Sequence, residues 1–244
     1  MSTSKGPFQL VLCPGAWCPA SQWQGFVTAM QRSPTDISTI TTAQWPVSGV
    51  TSLGDHREAV LEAVPDGQGP VVLLGHSFGS LPMLEAAVVL EDRVKGAIFV
   101  DGFLPTLGRS AFAQSEGRGG PQVMRAAAQA GTVPPPDPAI WGLRGQQAEA
   151  VAQAMQPHSL SSLETGISEQ AAARVETLPK RAYIGASAHR GQANPFKRAF
   201  DSLEGRPEWF SVQINGGHLL HIERPTALAY WCGQFLAMVA GKGF

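Results

Sequence analysis

Cysteine, net charge and long apolar runs are all scarce in this chain, and each scarcity excludes a class of function. Its three cysteines, Cys13, Cys18 and Cys232, form no C-x-x-C and have no paired histidine at zinc-ligand spacing, so neither a disulfide framework nor a metal site is expected, only buried free thiols. Lys and Arg number 18 against 19 Asp and Glu, and the resulting net charge of −1 contains no basic block. That balance argues against nucleic acid or an anionic membrane surface as partner. No run of 18 apolar residues occurs, and Met1–Gly6 is short and polar with no apolar stretch behind a basic start, so no membrane span or leader is expected. The chain reads as soluble and cytoplasmic, with a small-molecule substrate as its partner and no cofactor. Oligomeric state stays open, a homodimer included.

What the 244 residues do contain is enough apolar material, 43%, for one well-buried core, and α/β folds of this size are commonly a single domain. Strand-like Phe8–Cys13, Ile37–Thr42, Val71–Leu74 and Gly96–Val100 alternate with helix-like Ser21–Arg32, Gly54–Ala63 and Leu81–Leu90. Such alternation predicts a mostly parallel central sheet with helices on both faces. From Gly102 to about Leu178 no convincing strand is visible. Helical Gln122–Ala130 and Gln146–Gln156 are separated by Gly117–Pro121 and the proline-rich Val133–Pro138, which suggests an inserted helical cap at about 102–178 within a single domain, 1–244. Alternation resumes with Arg181–Gly185, a helix around Pro195–Leu203, a strand at Trp209–Ile214 and a final helix at Thr226–Ala240.

Gly75-His76-Ser77-Phe78-Gly79 follows one predicted strand and opens a predicted helix. This is the context in which a G-x-S-x-G turn exposes a serine, its glycines letting neighbouring backbone pass without a Cβ clash. Ser77 is therefore the candidate nucleophile. A serine hydroxyl needs a base and a group to orient that base, and His218, in Asn215-Gly216-Gly217-His218 after the last predicted strand, sits where open α/β sheets bind ligands. His76 reads as support for the turn, His221 as packing or solvent contact; His56 and His158 have no motif. The backbone N–H groups of Ala16, in the turn Cys13-Pro14-Gly15-Ala16-Trp17, and of Phe78 are the expected oxyanion-hole pair.

Together these segments resemble the α/β-hydrolases, in particular the small methyl-salicylate esterase and hydroxynitrile lyase group, over nearly the whole chain: Leu12–Trp23, Gly75–Gly79, Phe99–Pro105 and Gly217-His218. The resemblance implies a serine esterase or thioesterase, with an acyl-enzyme on Ser77 and a catalytic triad. Two departures stand out. Pro14 replaces the family's usual histidine, and no Asp or Glu occurs from Ala182 to Phe200, where many relatives carry the triad acid. Asp101, ending the strand next to the Ser77 strand, is the expected acid; bracing the turn into the cap is its other reading, and Ser187, His189 and Asn194 remain for a degenerate triad. The expected substrate-binding residues are Trp17, Phe103, Leu104, Trp141 and Leu219, with Phe78, Phe112, Met155, Leu160 and Leu220 as further contributors, implying a small apolar or aromatic ester, lactone or thioester. A cofactor-free His/Asp dioxygenase is the alternative, and a hydrolase-like ligand-binding protein the second. A hydroxynitrile lyase is disfavoured because residues 102–178 contain no lysine.

Overall fold

A computed structural model describes residues 8–33, 37–47, 49–67, 69–116, 119–189 and 194–242. The Met1–Gly6 segment and part of Gly117–Pro121 lie outside the described residues. The elements in chain order are β1 (Phe8–Cys13), α1 (Gln24–Gln31), β2 (Ile37–Thr42), α2 (Leu53–Ala63), β3 (Val71–His76), α3 (Ser80–Leu90) and β4 (Val94–Val100). Then come α4 (Ala111–Gln114), α5 (Gly120–Ala127), β5 (Thr132–Val133), α6 (Gly145–Ala154), β6 (His158–Ser159), α7 (Leu160–Glu164) and α8 (Glu169–Thr177). β7 (Arg181–Ala186), α9 (Pro195–Asp201), β8 (Trp209–Ile214), α10 (Leu220–Glu223) and α11 (Pro225–Val239) complete the chain.

Six strands form one sheet in the order β2-β1-β3-β4-β7-β8, every pairing parallel. The inner strands are apolar at consecutive positions because both faces are covered, as the period-2 pleat demands. Leu10, Leu12, Val72, Leu74, Ile98, Val100, Ala182 and Ile184 pack with Phe26, Leu228 and Phe235 of α1 and α11. Val11, Leu73, Ala97, Phe99 and Tyr183 join the opposite layer, where α3 lies between α2 and α8. The entry to α2 is set by a capping box in which Ser52 and Asp55 exchange hydrogen bonds.

Two findings differ from the sequence reading. Residues 102–178 hold an antiparallel ribbon, β5 with β6, two residues a side, too short to leave a periodic signal. The last helix of that stretch, α8, lies on α3 in the layer covering the sheet. β1 is followed on one side by β2 and on the other by β3, so the loops leaving β1 and β3 diverge and open a crevice at the carboxyl edge. No described helix is long and apolar enough to cross a membrane.

Candidate active site

Ser77 stands between β3 and α3 at φ 52°, a left-handed conformation unusual for a side-chain-bearing residue. Its flanking glycines are there for space. A Cβ on Gly75 would come within 2.6 Å of the Ser80 Cα, and one on Gly79 within 2.2 Å of the Cys13 and Pro14 carbonyl oxygens. The Ser80 hydroxyl reaches the carbonyls of Ser77 and Phe103, each at 2.8 Å, tying this turn to the segment after β4.

His218, on the loop after β8, faces the Ser77 hydroxyl through Nε2 at 3.0 Å and donates from Nδ1 to Asp101 Oδ2 at 2.6 Å. Asp101, at φ 41° and 1% exposed, directly follows β4. Its carboxylate takes two more donors: the Ala186 N–H on Oδ1 at 3.0 Å and His189 Nε2 on Oδ2 at 2.5 Å. Burial by itself would raise the Asp101 pKa, but the hydrogen bonds from His189 and His218 outweigh it and bring it down to about 2. The carboxylate is thus ionised and fully engaged. Asp101, His189 and His218 lie near enough for one ligand atom from each to fall within 4.8 Å of the others, close enough to converge on an ion. The lack of metal-ligand spacing along the chain therefore did not extend to space; the hydrogen bonds account for the same closeness without an ion.

The turn after β1 meets this group from the other side of the crevice. The Trp45 indole N–H is shared between the carbonyls of Pro14 and Gly15, both at 3.2 Å, which shows how the turn is held where Pro14 stands. Trp17, at φ 64°, donates from Nε1 to the β5 carbonyl of Val133 at 3.0 Å and accepts from the Gln156 N–H at 3.1 Å. Three of the five described non-glycine residues with positive φ, Trp17, Ser77 and Asp101, sit in this one constellation, and strain of ~1–3 kcal/mol each persists only where surroundings enforce it.

A cavity of about 630 Å³ opens over Ser77 and His218, with Ala16, Trp17, Phe78, Phe103, Phe112 and Trp141 in its wall. Leu104 and Leu219 are not in that wall: Leu219 is fully buried in the core and Leu104 packs against it. Met155 and Leu220 are likewise core, and Leu160 packs at its margin. Sequence reading missed Phe196, whose ring stacks on the His218 imidazole with centroids 4.5 Å apart and planes at 20°. It also missed His189 and Asn194 as a pair. Neither has a local signal; a polar cluster in an acid-free segment after β7 was the only hint. His221 proves fully buried against Trp23, centroids 4.3 Å apart, and His56 and His158 flank the Phe78 ring.

A family model described as "Alpha/beta hydrolase family" matches residues 10–229. Esterase PIR7B of Oryza sativa subsp. japonica is 32% identical over 118 residues, 44% of this chain and 42% of that protein, so the chain matches less than half of its length. A carbendazim hydrolyzing esterase of Nocardioides sp. is 23% identical over 227 residues, 88% of this chain and 92% of that protein. Among solved structures, an extracellular alpha/beta-hydrolase from a Paenibacillus species superposes with a TM-score of 0.77 at 20% identity, covering 94% of this chain and 99% of that one. It is described as sharing structural and functional homology with tobacco salicylic acid binding protein 2; at that identity the likeness speaks to fold alone.

Proposed function

This chain belongs to the alpha/beta hydrolase family, and from that premise we propose that it is a carboxylic ester hydrolase working through an acyl-enzyme on Ser77. The observation that carries this reading is the unbroken relay from Ser77 Oγ to His218 Nε2 at 3.0 Å and from His218 Nδ1 to Asp101 Oδ2 at 2.6 Å. Ser77 Oγ attacks the ester carbonyl carbon while its proton passes to His218 Nε2. Asp101 stabilises the imidazolium so formed. The oxyanion is received by the amides of Ala16 and Phe78, a donor of this kind being worth ~3 kcal/mol in the transition state. His218 then protonates the departing alcohol, and water, activated by the same nitrogen, releases the acid.

The cavity wall supports a small apolar or aromatic substrate, because Trp17, Phe103, Trp141 and Phe196 bring aromatic rings to it. The segment carrying α4 to α7 acts in this reading as a lid over the carboxyl edge. The test is a panel of short-chain and aromatic esters, lactones and thioesters, run with Ser77→Ala alongside. Turnover by the unmodified protein that vanishes in the variant supports the acyl-enzyme. Turnover that survives in Ser77→Ala with oxygen uptake, but is lost in His218→Ala, would replace it with base chemistry by the His218–Asp101 pair.

A further inference from the structure

The segment after β7 supplies no acid, yet it closes on Asp101 through His189, and the protons of that contact follow from the hydrogen-bond network. Asn194 caps α9: its Oδ1 accepts from the backbone N–H groups of Phe196 at 2.9 Å and Lys197 at 3.0 Å. A flipped amide would set its NH₂ against two donors, so the orientation is fixed. Nδ2, which can only donate, therefore faces His189 Nδ1, 2.9 Å away. That nitrogen must present its lone pair. The proton of a neutral His189 then sits on Nε2, which donates to Asp101 Oδ2, the same oxygen that receives His218 Nδ1. A second proton on Nδ1 would meet the Asn194 donor head-on.

We infer that His189 is a positioning residue: a neutral imidazole, locked by Asn194 as the Nε2–H tautomer, that holds the Asp101 carboxylate in the rotamer from which it orients His218. An orienting group is best held by something other than what it orients. During turnover His218 exchanges its Nε2 proton between Ser77, leaving group and water, and its grip on Oδ2 varies with each transfer. His189, 14% exposed in its side chain and wedged beside Phe196, does not take part in those transfers and keeps Oδ2 in place. The predicted effect on turnover rests on the Ser77 acyl-enzyme reading; the tautomer assignment does not.

The test uses the full chain, ¹⁵N-labelled at histidine. Long-range ¹H–¹⁵N correlation at neutral pH, with His189 assigned by its loss in His189→Gln, is expected to show His189 protonated at Nε2 alone. A neutral Nδ1–H form or a doubly protonated ring would overturn the inference. With p-nitrophenyl acetate as probe, His189→Ala should lower kcat about tenfold or more and change KM by less than about twofold, the loss of one hydrogen bond to a charged group. His189→Gln, whose Nε2 can still donate, should recover most of that loss. Equal losses in Ala and Gln variants, or a change confined to KM, would reduce His189 to cavity wall. If His189→Ala does not fold, the native tautomer and the Gln variant decide alone. If the native protein forms no Ser77 adduct with an organophosphonate, the acyl-enzyme reading has failed; the low-field His218 Nδ1–H resonance then judges His189, expected to persist in the Gln variant and shift or broaden in Ala, and the inference falls if neither variant moves it.

Discussion

His76 Nε2 donates to the main-chain carbonyl of His218 at 2.9 Å, so the side chain immediately before Ser77 holds the backbone of the histidine that faces the Ser77 hydroxyl. It was expected to brace its own turn; instead it spans the sheet edge. The imidazole is buried, and burial first, then the nearness of His218, bring the His76 pKa down to about 3. His56, His158 and His221 are pushed below 6.5 mainly by burial too.

Acid should therefore weaken the fold in two stages. The unfolded chain binds protons on these four histidines below pH 6.5 and the fold resists them, so the stability they contribute is complete above 6.5 and declines as pH falls toward about 3. His76 adds about 1.4 kcal/mol per pH unit to that decline, and the other three act in the same direction. Asp101, with its pKa lowered from 3.8 to about 2, adds a further loss only below about pH 4. Urea midpoints measured from pH 8 to 4 should be level at the top and fall below 6.5. His221→Phe, replacing a ring whose nitrogens have no partner, should flatten that fall by one proton. An unchanged slope would mean that His221 is charged in the fold.

Ser77 should be covalently modified by an organophosphonate, with the adduct mapped by mass spectrometry to that residue. Ser77→Ala should keep its thermal midpoint and lose about 10⁴-fold or more in kcat. An adduct on any other residue would sink the assignment.

Asp101→Asn should bind substrate normally and lower acylation by up to ~10⁴-fold, since a neutral amide cannot stabilise the imidazolium and presents the wrong proton to His218 or His189. Stopped-flow measurement of the acylation burst separates this from binding. Near-normal turnover would leave Asp101 as a brace of the turn after β4.

Trp141→Ala should raise KM for aryl esters about tenfold while changing acetate esters of small alcohols by less than about threefold, because only a substrate ring loses a stacking face. Parallel increases for both substrate sets would mean that the cavity had collapsed.

The sheet and the serine turn were legible because their signals are local: consecutive apolar residues in a strand buried on both faces, and glycines where a Cβ would strike backbone. Asp101 was expected near Ser77 because residues 182–200 contain no Asp or Glu and its strand neighbours the Ser77 strand, and the structure brings its carboxylate to His218 Nδ1. His189 and Asn194 were named only as remnants, because their roles depend on a carboxylate some 88 positions away along the chain from His189. Phe196 was invisible for the same reason. Leu104 and Leu219 were misplaced because the direction in which a loop residue points is set by the loop's path, which apolar character does not report. Three buried free thiols were expected and are found.

The β5–β6 ribbon moors one margin of the segment above the cavity. Val133 receives the Trp17 indole proton and the Gln156 amide reaches the Trp17 carbonyl, while Ser159 exchanges two hydrogen bonds with the backbone of Thr51, at 3.0 and 2.7 Å. Lifting the whole segment would break all of these at once and unseat the residue next to Ala16.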